Sequence, residues 1–172
     1  MITTIRIAIP DDAPLLPCIE RSAAQAFDSI PELKWLADSS TLSVERHLQL
    51  IKLSTCWVAA DADDCLQGFL SAEQQGADLH IHELSVLQSC QGKGLGRLLI
   101  QAAMDYVREN SLRAVTLTTF KSVPWNAPFY CRLGFKVMEN LPPDSRLALL
   151  LSSEYEHGFP LDSRCAMAWR AA

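Results

Sequence analysis

Three glycines at alternate positions, Gly92, Gly94 and Gly96, separate an alternating apolar run from an amphipathic one. Residues 80–87 alternate as in a strand, and residues 97–107 repeat with the period of a helix. A strand that passes through a glycine turn into a helix places free backbone N–H groups and the positive end of the helix dipole at one point. Because glycines let a phosphate approach the backbone closely, this stretch predicts an anion site.

The spacing of the glycines separates three kinds of phosphate loop. A Walker loop needs Ser or Thr after Gly-Lys, whereas Lys93 is followed by Gly94. A dinucleotide fingerprint needs Gly-x-Gly-x-x-Gly, whereas Gly96 follows Gly94 after a single residue. The pattern Gln/Arg-x-x-Gly-x-Gly is matched from Gln91 to Gly96. Through this motif the chain resembles the GCN5-related N-acetyltransferase (GNAT) superfamily, whose members bind acetyl-CoA with this loop.

A second motif of the same superfamily lies downstream, where Phe129-Tyr130 is followed by Gly134-Phe135 as in the pattern Phe-Tyr-x-x-x-Gly-Phe. The resemblance follows the order of elements along the whole chain and implies a single N-acetyltransferase domain over residues 1–172. The implied activity is transfer of the acetyl group of acetyl-CoA, a cosubstrate, to a primary amine in a direct ternary complex. The acceptor could be a small amine, an amino acid, a polyamine, an aminoglycoside or a peptide N-terminus.

Two alternatives are also compatible with the sequence. A noncatalytic acyl-CoA-binding sensor or regulatory domain would keep the fold without turnover. A cysteine route would pass the acetyl group through Cys90, at the edge of the predicted helix N-terminus, or through Cys131. The six cysteines form no Cys-x-x-Cys pair, so we expect them to be reduced.

The resemblance also implies the contacts with the cofactor. The backbone of the glycine turn would hold the pyrophosphate, while residues 84–86 would pair with the pantetheine arm like an added strand. The superfamily commonly has Asn seven residues before the tyrosine, a position that Val123 occupies here, so Asn126 could take over that contact or could instead cap or pack. The implied cofactor-binding residues are Leu84, Ser85, Val86, Gln91, Gly92, Lys93, Gly94, Leu95, Gly96, Arg97 and Asn126.

Two side chains are the candidate catalytic groups. The resemblance assigns Tyr130 the role of the acid that protonates the leaving thiolate, and a phenol can donate that proton. Glu83 is the preferred base, since burial could raise the pKa of its carboxyl group toward a useful value. His82 is the alternative, although neighbours on a regular strand point to opposite faces unless a bulge intervenes. His80 and His82 share a face but lack a third ligand, so we predict no metal site.

The elements that must position these residues follow from the pattern of apolar residues. The predicted fold is α/β (α+β), a mixed and mostly antiparallel sheet flanked by helices, with one parallel strand pair splayed around the cofactor. We expect strands at 2–9, 56–60, 65–73, 78–87, 113–120, 135–138 and 164–170, and helices at 13–27, 43–53, 97–107 and 124–133. Residues 147–151 are ambiguous between strand and helix, and residues 28–38 are expected to form a connecting loop.

Composition limits the other classes of function. A net charge of −5 argues against nucleic acid as a partner and favours a cationic substrate. The chain shows neither an apolar membrane segment nor a signal-peptide pattern, so we expect no membrane partner and a cytoplasmic location. The chain could form a homodimer. The acceptor itself depends on residues 28–38 and 139–160, whose sequence specifies little by itself.

Overall fold

The computed structural model describes residues 2–172, so Met1 of the predicted domain lies outside the described residues. A seven-stranded sheet has the order β1-β2-β3-β4-β5-β7-β6. All neighbouring strands are antiparallel except β4 and β5, which are parallel. This arrangement confirms the predicted fold class. The strands are β1 (Thr4–Ile7), β2 (Cys56–Ala60), β3 (Leu66–Gln75), β4 (Asp78–Val86), β5 (Ala114–Phe120), β6 (Lys136–Val137) and β7 (Arg164–Arg170).

Helices pack on both faces of this sheet. On one face α3 buries Leu99, Ala103 and Val107 against Leu79 and Leu117 of the sheet. The other face is covered by a second apolar cluster that joins α1 and α2 to β2 and β3. None of the helices in the described part of the chain is both long and apolar enough to span a membrane. The helices are α1 (Leu16–Ala24), α2 (Val44–Lys52), α3 (Leu95–Glu109), α4 (Ala127–Arg132) and α5 (Arg146–Glu156).

The first predicted helix, at 13–27, is shorter than expected. Its α-helical part begins only at Leu16, because Pro14 and Pro17 lack the N–H groups that a longer helix would need. The flanking residues adopt tighter 3₁₀ turns at Pro10–Leu15 and Gln25–Ser29. A further 3₁₀ segment at Pro31–Asp38 occupies most of the stretch predicted to be a loop.

Side-chain capping explains two of the other helix boundaries. The hydroxyl group of Ser43 accepts a hydrogen bond from the backbone N–H of Arg46, which confirms the predicted start of α2. Ser145 accepts in the same way from Ala148, and the ambiguous stretch 147–151 is therefore part of a helix. The predicted strand at 135–138 is reduced to the two residues of β6.

The parallel pair β4 and β5 is joined along only part of its length. Ladder pairs connect Asp78, Leu79 and His80 of β4 with the first three residues of β5. Beyond these pairs β5 stays with β7 along its whole length, while β4 stays with β3. The two strands therefore splay apart after His80, as predicted, and leave a wedge between them.

A bulge interrupts β4 at the start of this wedge. Ala72 of β3 lies opposite Ile81, but its neighbour Ser71 lies opposite Glu83, so His82 is an extra residue in β4. The extra residue reverses the alternation of side chains that follow it. As a result Leu84, rather than Glu83, joins the apolar core that packs against α3.

Candidate active site

A cavity of about 860 Å³ lies in the wedge between β4 and β5. Its walls come from α1, the segment Pro31–Asp38, both splayed strands, the glycine turn and α4. Lys93 lies outside this cavity and lines an adjacent surface depression. Arg97 lines both the cavity and the depression. All the other candidate site residues line the cavity: Glu83, Leu84, Ser85, Val86, Gln91, Gly92, Gly94, Leu95, Gly96, Arg97, Asn126 and Tyr130.

The glycine turn has the backbone conformation that its sequence predicts. Gly92 and Gly94 have φ angles of +75° and +83°, in the left-handed region that glycine adopts readily. Gly94 is the N-cap of α3, and its carbonyl oxygen accepts the first hydrogen bond of the helix, from the N–H of Leu98. The backbone N–H groups of the residues before Leu98 have no acceptor within the helix, as is usual at a helix N-terminus. They lie on the cavity wall, where they can bind an anion.

Two packing contacts fix the position of this turn. The Gln91 side-chain amide donates a hydrogen bond of 3.2 Å to the carbonyl oxygen of Val86, which ties the turn to the end of β4. A methyl group on Gly96 would lie 3.4 Å from the ring of Phe129, at the edge of ordinary van der Waals contact, so α3 and α4 approach closely here. The third glycine therefore lies at the contact between these two helices.

Residues 84–86 form the open edge of β4. On one side they pair with β3, where Leu84 lies opposite Leu70 and Val86 opposite Gly68. On the other side they have no partner in β5, because the ladder between β4 and β5 ends at His80. This edge faces the cavity with backbone groups that an extended ligand containing amides could pair with.

Glu83 lies on the cavity wall directly after the bulge. The pKa of Glu83 is raised to about 8, first because the surrounding walls exclude water and second because the Glu20 carboxylate lies nearby. A hydrogen bond of 2.9 Å from the Ser85 hydroxyl group and the positive charge of Arg164 oppose this rise. The carboxyl group of Glu83 can consequently exchange a proton close to neutral pH.

Tyr130, on α4, is buried and lines the same cavity. Its ring packs edge-on against Phe129 and Phe135, with ring centroids 5.1 Å and 5.5 Å away. Burial and the nearby charge of Glu83 hold the pKa of Tyr130 above its usual range. The phenol therefore keeps its proton at neutral pH and can act as a donor.

Asn126 precedes α4 but its side chain does not cap the helix. The side-chain nitrogen donates to the carbonyl oxygen of Trp125 at 3.3 Å. Within residues 2–172, the Oδ1 atom of Asn126 is buried without a hydrogen-bond partner. Since an unsatisfied buried acceptor is costly, this oxygen fits a contact with a ligand N–H better than it fits capping.

The two histidines of β4 have different environments. His80 is buried with its Nδ1 2.9 Å from the Thr116 hydroxyl oxygen, and burial, helped by the charge of Arg146, lowers the pKa of His80 to about 3. His82 and Glu83 both line the cavity. Neighbours on a regular strand would point to opposite faces of the sheet, but the bulge at His82 interrupts that alternation. The Nε2 atom of His82 lies 2.9 Å from a carboxylate oxygen of Glu73.

The remaining chemical alternatives can be placed in the structure. Cys90 is buried at the cavity wall, whereas Cys131 is exposed and does not line the cavity. The expectation that Cys131 could carry an acetyl group therefore has no geometric support. Across residues 2–172, no three His, Cys, Asp or Glu side chains form a group that could hold a metal ion.

Two charged residues of the cavity were missed at the sequence level. Glu20 of α1 accepts hydrogen bonds from the N–H of Leu42 at 3.1 Å and 3.4 Å. It shares the inward stripe of the helix with Leu16 and Ala23, and an acidic residue in an otherwise apolar stripe was an available signal. Arg164 comes from β7 and pairs with Glu154 at 2.9 Å. No local sequence pattern predicts the ion pair between Arg164 and Glu154.

Comparisons with known proteins agree with this geometry. A family model described as the Acetyltransferase (GNAT) family matches residues 23–135. The chain is similar to the structure of PaiA N-acetyltransferase from Thermoplasma acidophilum in complex with coenzyme A, with 18% identity, 99% of this chain and 100% of that chain covered, and a TM-score of 0.72.

Two further solved structures show the same fold. Ard1 from Thermoplasma volcanium has 18% identity, coverage of 100% of this chain and 99% of that chain, and a TM-score of 0.70. N-acetylglutamate synthase from Neisseria gonorrhoeae, complexed with coenzyme A and N-acetyl-glutamate, has 15% identity and a TM-score of 0.70, with 100% of this chain but 36% of that chain covered. At these identities the likeness extends to the fold alone.

Proposed function

Because the chain belongs to the acetyltransferase (GNAT) family, which uses acetyl-CoA, we propose that it transfers the acetyl group directly to a primary amine in a ternary complex. The observation that carries this proposal is the single cavity that contains the glycine turn, Glu83 and Tyr130. The proposal covers residues 1–172 as one N-acetyltransferase domain, which is supported by the continuous sheet from β1 to β6.

The donor half of the cavity would bind acetyl-CoA mainly through backbone groups. The N–H groups at the start of α3 and the positive φ angles of Gly92 and Gly94 suit a pyrophosphate, and Arg97 adds positive charge. The open edge at residues 84–86 suits the amides of the pantetheine arm. The unpartnered Oδ1 of Asn126 would accept one further N–H. Lys93, outside the cavity, could contribute charge only at the rim.

Acetyl transfer requires that one proton leave the attacking amine nitrogen and that one proton be added to the leaving thiolate. The amine nitrogen attacks the thioester carbonyl carbon, so that a C–N bond forms and the C–S bond breaks. Glu83 takes the proton that the nitrogen loses, and Tyr130 donates a proton to the leaving thiolate. An N–H of the open edge at residues 84–86 would stabilise the negative charge on the carbonyl oxygen. Exchange with solvent then restores both side chains.

Release of free thiol from acetyl-CoA tests the proposal. We expect release to depend on added amine when amino acids, polyamines, aminoglycosides and peptides with free N-termini are supplied in turn. Binding of coenzyme A is measured in parallel by calorimetry. Tight binding of coenzyme A without amine-dependent thiol release would instead support a noncatalytic acyl-CoA sensor. We also propose that the protein acts without nucleic acid or membranes as partners, that it is cytoplasmic and that it can form a homodimer.

A further inference from the structure

Five aromatic side chains form a continuous chain along the wall of the cavity. Ring centroids are 5.5 Å apart for Trp125 and Phe27, 5.6 Å for Phe27 and Phe120, 5.4 Å for Phe120 and Phe159, and 5.6 Å for Phe159 and Trp35. All five residues line the cavity. They come from four separate stretches of the chain, so the fold assembles this wall at one place.

The two ends of the chain of rings are accessible, while its middle is buried. Trp35 and Trp125 are 42% and 38% exposed, whereas Phe120 is 3% exposed. Accessible indole rings continuous with a buried aromatic wall can stack on the rings of a ligand, and each such contact adds to the affinity. The wall therefore suits a ligand with an aromatic body rather than a chain of polar groups.

The charges around this wall suit a cation. Glu20 and Glu83 both line the cavity, and in their ionised forms these side chains attract an ammonium group and repel a carboxylate. Arg164 also lines it, but Glu154 already pairs with its Nε at 2.9 Å. The guanidinium group of Arg164 is also covered by Phe120, whose ring centroid lies 4.5 Å away. This cation is accordingly a poor anchor for an acceptor carboxylate.

We infer that the acceptor is an arylalkylamine, a primary amine on an aromatic body without a carboxylate beside the amine. The inference rests on the proposed N-acetyltransferase function and names its substrate class. The amine would lie between Glu20 and Glu83. It would enter as an ammonium ion, lose one proton to solvent before attack, and give a second proton to Glu83 as the C–N bond forms. The aromatic body would extend along the wall toward Trp35.

A set of matched amines tests the inference. We expect the kcat/KM for 2-phenylethylamine to exceed that for phenylalanine, which adds only a carboxylate, by at least about tenfold. It should exceed that for n-butylamine, which lacks the ring, by a similar factor. Higher kcat/KM values for spermidine, for amino acids or for a peptide N-terminus would overturn the inference while leaving N-acetyl transfer intact.

Variants of Trp35 test the aromatic wall itself. Trp35→Ala should raise the KM for 2-phenylethylamine about tenfold and leave the KM for acetyl-CoA unchanged, whereas Trp35→Phe should retain most of the affinity. Leu53→Ala is the matched control, because Leu53 is 50% exposed and does not line the cavity. An equal KM in Trp35→Ala and the control would contradict the role of the wall.

Direct binding keeps the inference testable without turnover. Calorimetric titration of 2-phenylethylamine and of phenylalanine into the protein with coenzyme A measures acceptor affinity in the absence of acetyl transfer. Failure of transfer to every amine, with preferential binding of 2-phenylethylamine, would refute the proposed function and retain the inferred ligand class. Equal or tighter binding of phenylalanine would refute the inferred class.

Discussion

His80 and Glu83 lie three residues apart on β4 and differ in what lies across the strand edge. His80 belongs to the paired half, where its ring contacts Thr116 of β5 at 2.9 Å. Glu83 belongs to the splayed half, where the cavity replaces β5. Burial disfavours the charged form in both, lowering the pKa of His80 to about 3 and raising that of Glu83 to about 8.

The difference shows how one strand can carry both a structural and a reactive group. In the paired half a neighbouring strand satisfies the buried polar group and leaves no room for a ligand. In the splayed half the same desolvation acts on a group that lines the cavity, where the proposed function uses its shifted pKa for proton transfer. The following variants test whether the two halves have these separate roles.

Glu83→Gln should have the largest effect on activity. A carboxylate acts as a base only when deprotonated, so kcat/KM in the wild type should rise as pH increases through about 8. The variant should lose this rise, and kcat/KM above pH 8 should fall by about 10²- to 10⁴-fold. Steady-state kinetics from pH 6 to 10 measure both quantities. Glu156→Gln, at an exposed position outside the cavity, is the control, and an unchanged profile in Glu83→Gln would point to His82 or a water chain as base.

Tyr130→Phe should have the next largest effect. The variant keeps the ring that packs against Phe129 and Phe135 but removes the proton donor. We expect kcat to fall by about 10²-fold while the affinity for acetyl-CoA stays the same. Tyr106→Phe serves as the control, because Tyr106 packs against Trp57 outside the cavity. Turnover at the wild-type rate in Tyr130→Phe would remove the phenol from the mechanism.

A variant of His80, in the paired half, should change the free energy of unfolding rather than the rate of acetyl transfer. Because the pKa of His80 is about 3 in the folded protein and 6.5 as its ordinary value, the unfolded chain binds the proton first as pH falls. The free energy of unfolding should therefore drop by about 2 kcal/mol between pH 7 and pH 5 on account of His80. His80→Gln should lack this component of the pH dependence. Urea unfolding at both pH values measures it, with His157→Gln, at an exposed position, as control, and identical slopes in all three proteins would refute the assignment.

Glu20→Gln should have the smallest effect on kcat and tests whether Glu20 influences Glu83 in the splayed half. The Glu20 carboxylate raises the pKa of Glu83, so its neutralisation should move the rise of kcat/KM to lower pH. Glutamine keeps an oxygen that can accept from the N–H of Leu42, so α1 should retain its position. Glu45→Gln, at an exposed position on α2, controls for a general change in charge. A kinetic pKa that stays at the wild-type value would show that the two carboxyl groups do not interact.

The donor half of the site was predictable from sequence because its features are local. A glycine turn before an amphipathic helix specifies positive φ angles and free N–H groups within a few residues. The motif around Tyr130 and Gly134 likewise identifies one short helix and the turn that ends it. The order of the strands and of the first four helices followed from hydrophobic periodicity, whereas α5 lies in a stretch that periodicity left ambiguous. Helix ends depended on prolines and on serine caps.

The acceptor half was decided by the tertiary structure. The extra residue at His82 depends on the register between two strands, and that register turned Glu83 away from the α3 core. The pair of Arg164 with Glu154 joins a strand to a helix, and the aromatic wall from Trp125 to Trp35 joins residues that are distant along the chain. The sequence alone predicted the donor because the glycine turn proposed to hold its phosphates is a local backbone feature, whereas the proposed acceptor site is lined by side chains that only packing brings together.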